Sequence, residues 1–133
     1  MDRPTLLLIE DDPVLQTVLI DIFSGAGYDV RAAINAEDAL VLAAWSPPTV
    51  AILCGDSRGT FNSGWQAAYL LRTSYPHLPL VMLTTNPAAL RELGKTERGR
   101  WFTAGMLKPF QLNELLTTVA QACSTSVAVE VAS

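Results

Sequence analysis

An apolar run followed by three acids and a proline constrains the fold of this chain more than any other stretch. The run is Leu6–Ile9, and it is followed by Glu10, Asp11, Asp12 and Pro13. A short apolar run that ends at a break signal is typical of a strand buried on both faces of a parallel sheet. Asp12 and Pro13 are residue types that cap and begin a helix. The acids are therefore expected at the carboxyl end of a central strand, where open α/β sheets bind ligands.

Acidic side chains this close together repel one another, and a bound cation is the usual relief. Carboxylate oxygens are the ligands that Mg²⁺, Mn²⁺ and Ca²⁺ prefer in proteins. Acidic loops between strands and helices also occur without a metal, because aspartate caps helices. Taken alone, the stretch supports both interpretations about equally.

Apolar strands and amphipathic helices alternate along the rest of the chain. The patterns predict five strands, at residues 6–9, 28–33, 49–54, 79–84 and 102–107. They predict five helices, at 13–26, 36–45, 64–74, a short one from Pro87 that ends before Gly94, and 111–123. Right-handed crossovers then put helices on both faces of a parallel sheet. The expected fold is flavodoxin-like and doubly wound, with strand order 2-1-3-4-5, so that the loops after strands 1, 3, 4 and 5 converge on one crevice.

Length, charge and cysteine content narrow the class of protein. The 133 residues suffice for one domain with a core, and the net charge of −4 gives no basic footprint for direct nucleic-acid binding. Cys54 and Cys123 form neither a metal-binding spacing nor a disulfide framework. No signal segment or membrane-length apolar run is present, so we expect a cytoplasmic protein. We assign residues 1–123 to the domain and 124–133 to a tail or linker start, in which 127–133 could form a disordered tail or an extra edge strand.

Four stretches together resemble the receiver domain of two-component response regulators. They are residues 9–12, the strand end at 54–56, residues 82–84 and residues 108–110. The resemblance covers about residues 5–123 and implies the CheY-like form of the predicted fold. It also implies a signalling switch rather than an enzyme. Such a domain takes a phosphoryl group from a sensor histidine kinase or a histidine phosphotransfer protein onto an aspartate at the end of the third strand.

The resemblance also implies roles for individual residues. Asp11 would bind Mg²⁺ directly and Glu10 would bind it through water, while Lys108 would pair with the phosphoryl oxygens. Thr84 would hydrogen-bond the phosphoryl group and shift a two-state equilibrium. Each residue alone also has a structural interpretation, Lys108 as a solvated lysine and Thr84 as a hydroxyl bonded to its own backbone. A homodimer through the fourth helix, fifth strand and fifth helix is a further implication.

The acceptor position departs from the family pattern. Ungapped counting from the acids of the first strand places Cys54 there. A thiol has no carboxylate oxygen for an acyl phosphate and is not the hard ligand that Mg²⁺ prefers. Asp56 follows two residues later, about 6–7 Å further along an extended chain, and a bulge at Gly55 would bring it back. Gly64 stands eight residues after Asp56, the family's usual interval, so Asp56 stays open as acceptor and third metal ligand; the end of the apolar run favours Cys54.

Other departures concern the switch and the thiol. Gly105 stands three residues before Lys108, where the family usually has an aromatic ring, and Trp101 and Phe102 replace small residues. We expect Trp101 and Phe102 to pack against the shortened fourth helix, with an exposed partner-binding patch as the alternative. Cys54 is either an inert buried thiol or, beside Lys108, an oxidisable one with a lowered pKa.

Three functions follow from these patterns. The first is an atypical receiver, with Cys54 at the acceptor position, that acts without phosphorylation as a protein-interaction module. The second is a conventional Mg²⁺-dependent receiver that uses Asp56. A flavodoxin-like ligand-binding protein is a distant third, because the chain has neither a glycine-rich phosphate loop nor a nucleophile–base pair.

Overall fold

Five parallel strands form one sheet with helices on both faces. The computed structural model describes the backbone of residues 3–55 and 60–132 and the side chains of residues 3–55 and 60–124. The elements in chain order are β1 (Thr5–Ile9), α1 (Pro13–Gly25), β2 (Asp29–Ala33), α2 (Ala36–Trp45), β3 (Val50–Cys54), α3 (Asn62–Ser74), β4 (Leu80–Thr84), α4 (Pro87–Arg91), a 3₁₀ turn (Arg98–Trp101), β5 (Ala104–Leu107) and α5 (Leu112–Ala132). The strand order β2-β1-β3-β4-β5, parallel throughout, confirms the predicted fold class. In this described part of the chain, no helix combines the length and apolar character needed to cross a membrane.

The central strands are apolar along their whole length because helices cover both faces of the sheet. Every residue of β3 and β4 is buried. Successive side chains point to opposite faces, so the strands supply two separate cores. Leu53 and Met82 belong to the core under α2 and α3, whereas Ile52 and Leu83 belong to the core under α1 and α5.

Side-chain caps start three of the helices where the sequence predicts them. The Asp12 carboxylate accepts the Val14 N–H at 2.9 Å, and Pro13 follows as the first helical residue of α1. Asn35 caps α2 and Asn86 caps α4 in the same way. These local signals fix the points at which the chain leaves β1, β2 and β4.

Several predicted boundaries differ from the structure. Helix α3 begins two residues earlier than predicted, at Asn62, and β5 begins at Ala104 rather than at residue 102. Helix α5 continues to Ala132 instead of ending at residue 123. The sequence has no glycine or proline after residue 111 that would end this helix. An edge strand at residues 127–132 is therefore wrong, while the domain boundary at residue 123 stays a prediction.

The apolar stripes of the amphipathic helices are only partly buried. Four side chains on these stripes are largely exposed, namely Val14 (73%), Val18 (45%), Tyr69 (57%) and Leu112 (50%). The sheet covers a narrower stripe of each helix than the apolar pattern occupies. Within α1, for example, only Leu19 and Phe23 are fully buried.

Gly64 provides a test of the packing at the start of α3. A Cβ atom at this position would lie 2.4 Å from the Phe61 ring, which is itself buried against Trp65. We expect Gly64→Ala to lower the free energy of unfolding by about 1–3 kcal/mol through overpacking. Gly25→Ala is the matched control, because a Cβ atom there meets nothing within 4 Å and we expect no loss. Urea unfolding followed by circular dichroism measures both, and equal stability of the two variants would contradict this packing.

Candidate functional site

Four of the predicted site residues meet at the carboxyl edge of the sheet. Glu10 follows β1, Cys54 ends β3, Thr84 ends β4 and Lys108 follows β5. Because the strands are parallel and adjacent, these positions lie side by side at the same edge. Asp56, the other candidate acceptor, lies outside the described residues, so its place in the site stays a prediction.

The register of β1 and β3 brings Glu10 next to Cys54. Ile9 pairs with Leu53, and continuing the ladder by one residue sets Glu10 beside Cys54. The thiol is 4% exposed and interacts with the Glu10 carboxylate. Cys54 therefore stands at the end of the third strand, among the groups predicted to handle phosphate.

An ion pair joins the first and last strands. Lys108 Nζ lies 3.2 Å from Glu10 Oε1, and the Glu10 side chain is 2% exposed. The Asp12 backbone N–H donates to the other Glu10 oxygen at 3.3 Å. Burial raises the pKa of Glu10, while Lys108 and the Asp12 N–H act in the opposite direction. The Glu10 carboxylate thus has its charge and both oxygens satisfied by the chain itself.

Thr84 is fully buried and already uses its hydroxyl oxygen. That oxygen accepts the Asn86 backbone N–H at 2.9 Å. The backbone just after β3 lies close by, because a Cβ atom added to Gly55 would stand 3.5 Å from the same oxygen. The bond to its own backbone is the structural interpretation of Thr84, and its contact with a phosphoryl group stays a prediction.

The three consecutive acids have three different environments. Glu10 is buried in the ion pair, and Asp12 caps α1. Asp11 is exposed and lines a cavity of about 610 Å³ that also reaches Cys54 and Gly55. The three acids that are adjacent in the sequence therefore do not form one cluster of negative charge in the structure, because each has a different role.

Comparison with known proteins identifies relatives of this arrangement, although no family model matches the chain. The response regulator protein FleR of Pseudomonas aeruginosa is 32% identical over 116 residues, which are 87% of this chain and 24% of FleR. The sensor histidine kinase TmoS of Ectopseudomonas mendocina is 28% identical over 130 residues, 96% of this chain and 13% of TmoS. The solved structure of the chemotaxis protein CheY4 of Vibrio cholerae matches with a TM-score of 0.76 and 26% identity, over 90% of this chain and 98% of CheY4.

The chain is a receiver domain of the response regulator family. It spans about a quarter or less of the length of the curated relatives it matches. What those longer proteins do outside this segment is therefore not carried over to it.

The described residues of this receiver domain do not make a magnesium site by themselves. Across residues 3–55 and 60–124, no group of three or more His, Cys, Asp or Glu side chains is placed to hold a metal ion. Glu10 is held by Lys108, and Asp11 alone remains of the two first-strand ligands predicted from the sequence. Cys54 presents sulfur where a third oxygen ligand is needed, and sulfur does not suit Mg²⁺.

The environment of Cys54 favours the inert buried thiol of the two alternatives that the sequence leaves open. Burial raises the pKa of Cys54 far above its ordinary value, and the neighbouring Glu10 carboxylate raises it further. Lys108 lowers this pKa, but by less than burial raises it. The thiolate is the reactive form of cysteine, so this raised pKa disfavours the oxidisable alternative.

Leucines from the α4 segment fill the space above Gly105. A Cβ atom on Gly105 would lie 2.8 Å from Leu93 Cδ1 and 2.9 Å from Leu90 Cδ1. A family-type aromatic ring has no room there with these leucines in place. The aromatic ring that the family usually has at this position is therefore absent from the domain.

Aromatic side chains gather instead between α3 and the 3₁₀ turn. The rings of Phe61, Trp65 and Phe102 lie 5.2–5.7 Å apart, so the aromatic neighbours of Phe102 lie at the start of α3 and not on the shortened fourth helix against which the sequence predicts its packing. Sequence analysis missed Arg98, whose guanidinium lies 4.3 Å from the centre of the Trp65 ring. Helix and strand periodicities connect only residues that are close in the sequence, and these two are 33 positions apart. The one sequence signal in this region is the high density of charged residues near Arg98.

The ion pair predicts a specific stability loss and its rescue. We expect Lys108→Met to lower the free energy of unfolding by about 3 kcal/mol, because it leaves a buried carboxylate without its cation. Adding Glu10→Gln should restore most of this loss, since a neutral amide needs no counter-charge. Lys95→Met, at an exposed lysine, is the control and should be nearly neutral. Chemical denaturation of the natural protein, both single site variants, the double variant and the control measures the coupling, and additive effects of the two site substitutions would refute the pairing.

The burial of Cys54 predicts slow thiol chemistry. In a Cys123→Ser variant, Cys54 is the chain's one remaining cysteine, and we expect no reaction with a disulfide reagent at neutral pH until the protein is unfolded. In the matched Cys54→Ser variant, the half-buried Cys123 should react faster in the native state. Absorbance of the released thiol follows both reactions. Rapid native-state labelling of Cys54 would contradict the raised pKa.

Proposed function

We propose that this receiver domain serves as a phosphorylation-independent interaction module of a signalling protein. The observation that carries the proposal is the buried Cys54 at the end of β3, beside a Glu10 carboxylate already paired with Lys108. A domain of this kind signals by presenting a surface, and it does not act as an enzyme. The family relationship supports the signalling role.

Phosphoryl transfer needs two things that the described site does not offer. It needs a nucleophilic oxygen, and it needs positive charge free to stabilise the transferred group. Cys54 offers a protonated thiol, since burial raises its pKa. The ammonium group of Lys108, at this edge of the sheet, is engaged by Glu10.

A conventional Mg²⁺-dependent receiver that uses Asp56 is the second candidate. The spacing of eight residues between Asp56 and Gly64 favours it. In that case Mg²⁺ would neutralise charge on the transferring phosphoryl group, with Asp11, Glu10 and Asp56 as its ligands. Because the described residues alone do not fit this ion, no step of the main proposal depends on it.

The partners we propose are other proteins of two-component signalling. The match of nearly the whole chain to a segment of a sensor histidine kinase supports a sensor kinase or a histidine phosphotransfer protein as one of them. We further propose that two copies associate through α4, β5 and α5. Neither contact requires phosphate on this domain.

Acetyl phosphate provides the direct test of phosphorylation. Incubation with acetyl phosphate and Mg²⁺, followed by intact mass measurement, should leave the natural protein unmodified. Cys54→Asp supplies the missing carboxylate and should gain the mass of one phosphoryl group. Cys54→Asn is the matched control, because its side chain has the same size but no acidic oxygen, and it should gain nothing.

The natural protein alone decides between the two candidates. A phosphoryl adduct on it that is lost in Asp56→Ala and kept in Cys54→Asn would overturn our proposal in favour of the conventional receiver. Circular dichroism of each variant shows whether it is folded. If Cys54→Asp does not fold, the unmodified mass of the natural protein still supports the proposal.

A further inference from the structure

The segment between α4 and β5 carries a charge opposite to that of the rest of the chain. We call residues 91–101 the strap. The strap holds four of the nine lysines and arginines and two acids, so its net charge is +2 in a chain of net charge −4. Its four basic side chains are all exposed, namely Arg91, Lys95, Arg98 and Arg100. The residues outside the strap carry a net charge of −6.

Hydrogen bonds within the strap and a stacking contact with α3 fix the shape and position of the strap. Arg98 donates two hydrogen bonds to the Glu92 carboxylate, at 2.8 and 2.7 Å, and stacks over the Trp65 ring. Thr96 donates its hydroxyl to the same carboxylate at 3.0 Å. Glu92 thus connects the first part of the strap to Thr96 and Arg98, and Arg98 connects the strap to α3.

Backbone contacts hold the other end of the strap. Arg72 of α3 donates to the carbonyl oxygen of Trp101 and, at 3.0 Å, to that of Tyr75. A Cβ atom on Gly99 would lie 1.8 Å from the Glu92 carbonyl oxygen, so the two backbone segments are in close contact. A surface whose shape is already fixed loses little conformational entropy when it binds.

Aromatic side chains adjoin the basic ones. The Tyr69 and Trp101 rings lie 5.7 Å apart, and Tyr69 is 57% exposed. Both rings, with Arg98, line the cavity of about 610 Å³ described above. Tyrosine, tryptophan and arginine are the residue types that supply most of the binding energy at protein interfaces.

We propose that the strap and the Tyr69–Trp101 pair form a docking surface for an acidic segment of a partner protein. The acids of the partner lie over Lys95 and Arg100, and an aromatic or large aliphatic side chain enters the cavity beside Trp101. Charge complementarity selects this partner, because the strap is the basic region of an acidic protein. The inference deepens the proposed interaction module and names the chemistry of what it binds.

The cavity walls favour a protein segment over a nucleic acid. Asp11 and Glu37 line the same cavity as Trp101. A nucleic acid carries a phosphate charge at every step along its strand and would be repelled by these carboxylates. A protein segment can present acids to the strap and an uncharged side chain to the cavity.

The docking surface adjoins the proposed dimer face at Arg91, which is the last residue of α4 and the first of the strap. It does not include α5: Trp101 and Phe102 pack in the core beneath α2 and α3, whereas Leu115 and Val119 of α5 pack in the core on the opposite face of the sheet. Substitutions at Tyr69, Lys95 and Arg100 therefore test the docking surface without changing a residue of α4, β5 or α5.

A labelled random copolymer of glutamate and tyrosine is the probe for this surface. Fluorescence anisotropy with the full chain should show binding that weakens as salt is added. Lys95→Ser/Arg100→Ser removes two strap charges and should weaken binding by about tenfold. Arg3→Ser/Arg31→Ser is the matched control, since it removes the same charge from exposed positions outside the strap and should change binding by less than about twofold.

The contribution of Tyr69 is tested with polyglutamate, a probe that lacks aromatic rings. Tyr69→Ala should weaken binding of the glutamate–tyrosine copolymer and leave the weaker binding of polyglutamate unchanged. No binding of the copolymer, equal losses in the strap and control variants, or tighter binding of single-stranded DNA would each overturn the proposal. Phosphorylation of the natural protein by acetyl phosphate would overturn the proposed phosphorylation independence without changing the copolymer result. Failure of the proposed function and failure of the docking surface are therefore distinguishable.

Discussion

The ion pair between Glu10 and Lys108 is the interaction on which the geometry of this domain depends. It joins residues 98 positions apart and so ties the end of the first strand to the end of the last. A buried carboxylate without a partner is costly, so the sheet edge is stable only while β1 and β5 present these two side chains to each other. Cys54 and Thr84 end the two strands that lie between β1 and β5, and the ladders of the sheet hold them in line with this pair.

Gly105 changes how the site at the strand ends is connected to the α4–β5 surface. The family resemblance implies an aromatic ring at this position that responds to Thr84 and so links the strand ends to the α4–β5 surface. Here Leu90 and Leu93 fill that space, and the Thr84 hydroxyl oxygen is bonded to the backbone two residues on. The strap is in turn held by Glu92 and Arg98. The α4–β5 side of the molecule therefore has a shape set by its own contacts, which agrees with a surface that is permanently available.

Local sequence patterns predicted the fold well, but they did not predict contacts between residues that are distant in the sequence. The strand order follows from buried apolar runs and from caps such as Asp12 and Asn86, whose signals lie within a few residues. The predicted strand order brings the loops that carry Glu10 and Lys108 to one crevice, but no spacing rule predicts the ion pair between them. Arg98 over Trp65 had no sequence signal of its own. The exposure of Tyr69 has no signal in the sequence, because an apolar stripe shows which side of a helix packs but not how much of that side the sheet covers.

The charge at the strand ends explains why a cysteine is tolerated at the end of β3. With an aspartate there, Glu10, Asp11 and the new acid would face a single lysine, and a divalent cation would be the natural way to balance them. With a neutral thiol, the buried negative charge of Glu10 is matched by Lys108 one to one, and Asp11 is exposed to solvent. The site is then balanced within the chain. With Cys54 at the end of β3, Glu10 and Lys108 balance each other without a cation, which is the charge balance that the proposed phosphorylation-independent function requires.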